Sequence, residues 1–206
     1  MTEDEAQQWI RDRFGAEGQG QSRLAHLADL VRAEAAHQNL VSASTLESLW
    51  VRHIVDSAQL IQFAGDSDGV WLDIGTGAGF PGLVVAALRD RPTILVEPRR
   101  RRADFLTTAA GVLGLSRTVT VIASKVETAK VSAAIISARA VAPVEALLAS
   151  AAHVATAETR WLLPKGLRAR EEVARARETW HGMFHVEHSV TDPDSLIVIA
   201  SKVSRR

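Results

Sequence analysis

The 206-residue chain has no cysteine and no tyrosine, and it carries a single asparagine, Asn39. Lack of cysteine excludes disulfides and thiolate metal sites and fits a reducing cytosol, so a cytoplasmic location is expected. Neither charge sign is in excess, because 24 Lys and Arg balance 24 Asp and Glu. No global field then holds nucleic acid non-specifically, and any polyanion has to be held by a local patch. No apolar run approaches the length that crosses a bilayer, so no membrane partner is expected. The start, Met1-Thr2-Glu3-Asp4-Glu5, is acidic and leads into no apolar core, unlike a secretory leader. Internal repeats and low-complexity segments are also missing.

What is present is apolar material: 47% of the residues are hydrophobic, enough for one full-sized α/β domain with a modest extension. A single domain over residues 1–206, acting as a monomer, is expected. Residues 1–63 carry helical periodicity, with Leu24, Leu27, Ala28 and Val31 on one stripe and Leu46, Leu49, Trp50 and Ile54 on the next. They form a helical cap on an α/β core over 64–206. From residue 70 short strands near 70–74, 93–97, 118–122, 133–137 and 159–163 alternate with helices, the pattern of a doubly wound parallel sheet. Gly182 to Val190 and Leu196 to Ser201 read as strands joined by Thr191-Asp192-Pro193-Asp194, too short for a helix. The core therefore ends in a hairpin with one antiparallel strand. Five β/α units closed in this way are the usual layout of Rossmann-like methyltransferases that use S-adenosylmethionine (SAM).

Val70-Trp71-Leu72-Asp73-Ile74-Gly75-Thr76-Gly77-Ala78-Gly79 joins a buried strand to a glycine-rich turn with an acid at the junction. Glycine accepts positive φ and has no Cβ, so backbone N–H groups can approach a polar ligand at the mouth of the next helix. Asp73, Gly75, Gly77, Gly79 and Phe80 are candidate cofactor residues, with the helix opening at Phe80-Pro81. Proline suits the first helical position, where its missing N–H has no intrahelical partner. Glu97, 22 residues past Gly75 and after the strand Thr93-Ile94-Leu95-Val96, is placed to accept both ribose hydroxyls. Gly77-Ala78-Gly79-Phe80-Pro81-Gly82 also satisfies G-x-G-x-x-G, which leaves a nicotinamide or flavin site as an alternative. That register starts late after the strand and brings the acid only 15 residues past Gly82.

Composition narrows the methyl acceptor. Methylation at carbon 5 of a pyrimidine commonly uses a cysteine nucleophile, and there is none. Methylation of an exocyclic amine usually uses an Asn/Asp-Pro-Pro-Tyr/Phe clamp; the chain has no Pro-Pro and no tyrosine. An acceptor that is already nucleophilic, such as guanine N7, fits better and requires no general base.

Asn39-Leu40, Arg52-His53-Ile54-Val55-Asp56-Ser57, Asp73 to Gly82, Val126-Glu127, Ser137-Ala138-Arg139-Ala140 and Lys165-Gly166 together resemble the RsmG family, also called glucose-inhibited division protein B. The resemblance covers nearly the whole chain. It implies SAM-dependent methylation at N7 of guanine 527, in the 530 loop of bacterial 16S ribosomal RNA. The implied partner is that RNA or a small-subunit precursor. By position, Gly75, Phe80, Val126, Glu127 and Arg139 match the family's SAM-contacting residues, and Glu97 matches its ribose acid. Two departures stand out: an extra Ala138 ahead of Arg139-Ala140, and Lys125-Val126-Glu127 where the family usually has Arg-x-Glu, which keeps charge but loses bidentate geometry.

Arg139 is the candidate catalytic residue. It follows the fourth strand, where ligands of open α/β sheets bind. It can pair with the SAM carboxylate or donate to guanine O6 or a phosphate, but N7 has to stay free; a helix cap or surface ion pair is the plain alternative. For RNA, Arg89, Arg91 and Arg99-Arg100-Arg101-Arg102 place six arginines within 14 residues around the end of the second strand. The plain alternative is a solvated helix start, although cations there oppose the helix dipole. Arg52, His53, Lys125 and Lys165 are further RNA candidates, with a local His53/Asp56 helix-surface pair and a solvated loop lysine as their ordinary alternatives. His181, His185 and His188 do not share one strand face, and no metal is expected. Besides RNA methylation, a small-molecule methyltransferase and a non-catalytic ribosome assembly factor on the same fold remain alternatives.

Overall fold

The computed structural model of the protein describes residues 1–15 and 18–206. Seven strands, β1 Trp71–Ile74, β2 Thr93–Val96, β3 Val119–Ile122, β4 Ala133–Ala138, β5 Ala155–Lys165, β6 Trp180–His188 and β7 Leu196–Arg205, form one sheet in the order β3-β2-β1-β4-β5-β7-β6. β1 to β5 are parallel, and β7 runs antiparallel between β5 and β6. This is the doubly wound arrangement with a terminal hairpin.

Every residue of β1 is buried, as expected of a central parallel strand covered on both faces. Alternation divides its side chains. Leu72 and Ile74 pack with helices α7 (Val144–Ala151) and α8 (Ala169–Thr179), while Trp71 packs with Val85 of α5 (Gly82–Arg89). Helix α6 (Arg100–Val112) lies on the α5 side, where Leu106 and Ala109 join Leu83 and Val84.

The N-terminal segment completes that side. Helix α1 (Glu3–Phe14) opens with a reciprocal capping box between Thr2 and Glu5, and α2 (Gln19–Glu34) buries Leu24, Leu27, Ala28 and Val31. These apolar residues share one cluster with α5 and α6. A short α3 (Ala43–Leu46) leads to a π-helical turn, Trp50–Val55, followed by α4 (Asp56–Ala58) and a 3₁₀ turn, Gln59–Phe63. The Glu3 carboxylate accepts from the Trp50 and Val51 N–H groups at 3.0 and 2.9 Å, capping the π turn's otherwise unpaired donors.

Three details depart from the sequence reading. Helix α5 starts at Gly82 and Pro81 is its N-cap, because the Gly82 N–H is held at 2.9 Å by Asp73 Oδ2. Strands β5 and β7 extend past the expected limits, and β6 starts and ends two residues earlier than expected, at Trp180 and His188. Their ends are largely solvent-exposed, and the β6/β7 register shifts between His181 and Met183, which blurs the apolar alternation. The six arginines do not form one patch: Arg89 and Arg91 precede β2 whereas Arg99 to Arg102 follow it, so the strand separates them. Arg91 pairs with Asp68 at 2.8 Å and Arg89 donates to the Ser67 carbonyl.

Candidate active site

Chain order reverses between neighbours β1 and β4, so the loops leaving their carboxyl ends diverge and open a crevice. A cavity of about 680 Å³ lies there. Gly75 to Ala78 and Phe80 contribute from the β1–α5 turn, Arg139 to Pro143 from the segment after β4, and Lys165, Gly166 and Arg168 from the end of β5. The N-terminal segment adds Thr45, Arg52, His53 and Asp56, and the hairpin connection adds Thr191 and Ser195.

Gly75 sits at φ 64°, and a Cβ there would fall 2.7 Å from Val141 Cγ2. Glycine at this position thus satisfies both the left-handed backbone and the close approach of the β4 loop. The turn is held from behind by Glu97, only 3% exposed, whose two oxygens accept from the Gly77 and Arg99 N–H groups, each at 3.0 Å. Each oxygen keeps a further lone pair.

Asp73 is fully buried beneath the turn and does not line the cavity. One oxygen caps α5 through Gly82; the other accepts from Ser137 Oγ at 2.7 Å, which in turn accepts from Trp71 Nε1 at 2.8 Å. Burial raises its pKa to about 6, opposed by the hydrogen bonds from Ser137 and Gly82. Val126, buried, and Glu127, exposed, stand on a 3₁₀ turn after β3, with exposed Lys125 just before them. The Glu97 N–H pairs with the Ile122 carbonyl at the last residue of β3, so this turn and Glu97 occupy one edge of the sheet.

Arg139 is the hub of the cavity wall. One terminal nitrogen donates to the Arg52 carbonyl at 2.9 Å and to Asp56 Oδ2 at 3.2 Å; the other donates to His53 Nδ1 at 2.7 Å. Its guanidinium carbon lies 5.5 Å from the Phe80 ring centre, and the His53 ring stacks on the same ring at 4.9 Å. Ala140 next to it has φ 55°, a left-handed conformation that costs a non-glycine residue about 1 kcal/mol. Such strain is concentrated at functional sites. Burial, then the charges of Arg139 and Arg52, hold the His53 imidazole down to about pKa 3. It is neutral at physiological pH, and the Asp56 carboxylate lies across Arg139 from it.

The remaining RNA candidates scatter. Arg52 pairs with Asp192 at 2.6 Å, Lys165 with Glu172 at 3.0 Å and Arg100 with Asp104 at 3.1 Å. Arg101 donates to the His37 carbonyl, Arg102 to the Asn39 carbonyl, and Arg99 contributes its backbone N–H to Glu97. Of the four-arginine run only Arg102 lines the cavity. Sequence reasoning missed Arg168, exposed on the cavity rim, and the hairpin residues Ser189 and Thr191, whose hydroxyls approach Asp56 Oδ1 at 3.4 and 3.2 Å. Nothing local in the sequence marks these residues; the basic Lys165-Gly166-Leu167-Arg168 loop is the nearest signal. His181, His185 and His188 are exposed, and among the described residues no three His, Asp or Glu side chains converge as a metal site. No helix among them is long and apolar enough to cross a membrane.

Solved structures with this fold include an O-methyltransferase from Bacillus cereus in complex with SAH, at TM-score 0.58 and 15% identity, covering 94% of this chain and 96% of that one. A ribosomal protein L11 methylase from Lactobacillus delbrueckii subsp. bulgaricus matches at TM-score 0.57 and 10% identity, over 78% and 79% of the two chains. At these identities the likeness establishes the Rossmann-like methyltransferase fold alone. Sequence relatives are nearer. The ribosomal RNA small subunit methyltransferase G of Novosphingobium aromaticivorans is 52% identical over 97% of this chain and 88% of its own length. That of Zymomonas mobilis is 41% identical over 98% and 95%. The family model described as GidB, rRNA small subunit methyltransferase G, matches residues 20–193, and the chain belongs to that family.

Proposed function

We propose that this chain transfers the methyl group of SAM to N7 of guanine 527 in the 530 loop of bacterial 16S ribosomal RNA. The observation that carries the proposal is the meeting, in one switch-point cavity of a chain of this family, of the glycine turn with the Arg139, Phe80 and His53 cluster. The residues fit SAM. Gly75 and Gly77 present a backbone turn without Cβ atoms in the cavity lining, and Glu97, behind the turn and outside that lining, keeps lone pairs for ribose hydroxyls that reach past the turn. Phe80, on the cavity wall, and Gly79, Val126 and Glu127, outside its lining, complete the cofactor set, and Asp73 supports it from below through Gly82.

When bound, SAM supplies a sulfonium methyl that is already electrophilic. The in-plane lone pair of N7 needs no deprotonation, so the chain supplies orientation and a water-poor site rather than a base. Arg139 has five N–H groups, of which three are engaged by Arg52, Asp56 and His53. The two left over donate to guanine O6 or to the SAM carboxylate, with N7 untouched. Arg102 and Arg168, around the same cavity, meet the RNA backbone, while Lys165, paired with Glu172, and Arg52, paired with Asp192, brace the cavity wall and the hairpin connection.

The test is incorporation of labelled methyl into small subunits from cells lacking the protein, followed by borohydride and aniline treatment. N7-methylguanine carries a fixed positive ring charge and makes the strand scissile at that residue. Scission at guanine 527 is expected. Label without scission moves the acceptor to another atom, and label on small molecules alone selects a small-molecule enzyme. No transfer at all by a SAM-binding chain selects an assembly factor.

A further inference from the structure

We propose that His53 is a positioning residue for the transfer: a neutral imidazole whose bare Nδ1 clamps the Arg139 guanidinium against Phe80 and aims its uncommitted N–H groups into the cavity. The proposal rests on the methyltransferase reading of this cavity and adds a role different from RNA contact. It begins at the π-helical turn, whose widened backbone presents the Arg52 carbonyl as an acceptor for Arg139. Asp56, one residue past that turn, adds a second acceptor and His53 a third.

An imidazole can accept from a guanidinium only when that nitrogen carries no proton. Here Arg139 sets the tautomer, because a guanidinium only donates: at 2.7 Å from it Nδ1 is bare, and a neutral ring carries its hydrogen on Nε2. Thr45 Oγ1, 2.9 Å from Nε2 and with the Ser42 carbonyl at 3.0 Å to take its own proton, is placed to accept that hydrogen and hold the ring. The groups facing the ring are Arg139, Arg52, Thr45 and the Phe80 ring, with Asp56 reached across Arg139. Burial and then the charges of Arg139 and Arg52 hold its pKa down and disfavour a protonated ring. Protonation would turn the acceptor into a donor against a donor and release the clamp. Three acceptors on one guanidinium leave it little rotational freedom, and a displacement of about 1 Å at a transfer site costs on the order of 100-fold in rate.

Single-turnover transfer at saturating SAM, measured beside equilibrium binding of the same small subunits, tests the role. His53→Ala is expected to lower the transfer rate roughly 10- to 100-fold while subunit binding changes by less than about threefold. His53→Asn, whose Oδ1 places an acceptor near Nδ1, should recover most of the rate. Weakened binding with an unchanged rate makes His53 an RNA contact and overturns the proposal, as does equal loss in the Ala and Asn variants. If His53→Ala does not fold, Thr45→Val removes the Nε2 partner that orients the ring and should lower the rate roughly threefold to tenfold; an unchanged rate there overturns the clamp. Nitrogen-15 NMR of the imidazole in the full chain at about pH 5.5 needs no substrate. One bare and one protonated nitrogen, with Nδ1 bare, is expected, and a doubly protonated ring overturns the proposal. A wild-type chain with that spectrum that methylates nothing would sink the methyltransferase reading while leaving the His53 geometry standing.

Discussion

Replacing Glu97 by glutamine perturbs the point where the fold and the proposed cofactor grip meet. In the native chain its two oxygens accept from the Gly77 and Arg99 N–H groups, each at 3.0 Å, in surroundings that leave 3% of the residue exposed. The amide keeps one acceptor and turns a donor toward the other N–H, so one buried donor loses its partner. That costs about 1–3 kcal/mol of folding free energy, or about 2–4 °C of Tm for each kcal/mol in a chain of this size. In the proposed complex the ribose hydroxyls use the lone pairs that remain, and hydrogen bonds to a charged group contribute about 1.5–3 kcal/mol each. At about 1.4 kcal/mol per decade, Glu97→Gln should weaken SAM binding tenfold to a hundredfold, and Glu97→Ala by a hundredfold or more. Isothermal titration with SAM, on variants shown to be folded by circular dichroism and melting, measures this. Native affinity in a folded Glu97→Ala variant would refute the placement of the ribose at the end of β2. Tight NADH binding by the wild-type chain would instead favour a dinucleotide site.

The two perturbed groups near the site titrate with opposite sign. His53, depressed from 6.5 to about 3, adds stability that is present above pH 6.5 and lost as pH falls toward 3, whereas Asp73, raised from 3.8 to about 6, adds stability that is present below 3.8 and lost as pH rises through 6. Each slope reaches about 1.4 kcal/mol per pH unit, so they oppose one another between about pH 4 and 6. Relative to wild type, His53→Asn should gain stability on acidification through that window and Asp73→Asn should lose it; parallel melting curves for all three would refute both assignments. Among the arginines, Arg102→Gln should reduce the slope of log affinity against log salt on single-stranded RNA by about 0.7, while Arg89→Gln and Arg91→Gln, on the far side of β2, should leave it unchanged. Equal effects from all three would show that the RNA does not distinguish the two ends of the strand.

Local chemistry alone specified the sheet and the glycine turn. Short apolar runs at Trp71–Ile74, Thr93–Val96 and Ala133–Ala138 are buried on both faces, and such runs declare themselves without knowledge of their neighbours. The Gly75 to Gly82 turn and Arg139-Ala140 likewise carried the family resemblance from sequence. What tertiary structure decided is the state of the side chains in the cavity. Arg139 and His53 are 86 positions apart, and only packing of the N-terminal segment on α5 brings them together. The π turn that frees the Arg52 carbonyl is invisible to a 3.6-residue periodicity, since one widened turn leaves the apolar stripe of Leu49, Trp50 and Ile54 in place. Asp73 looked like a ligand contact because acids at a strand–turn junction often are, but the fold turns it inward as the cap of α5. The arginine run looked continuous because sequence distance counts residues, whereas β2, an extended strand, carries the chain from one end of the sheet to the other. A motif depends on a few neighbouring residues and survives being read in one dimension; a pKa, a tautomer or a charge patch depends on what long-range packing sets beside it.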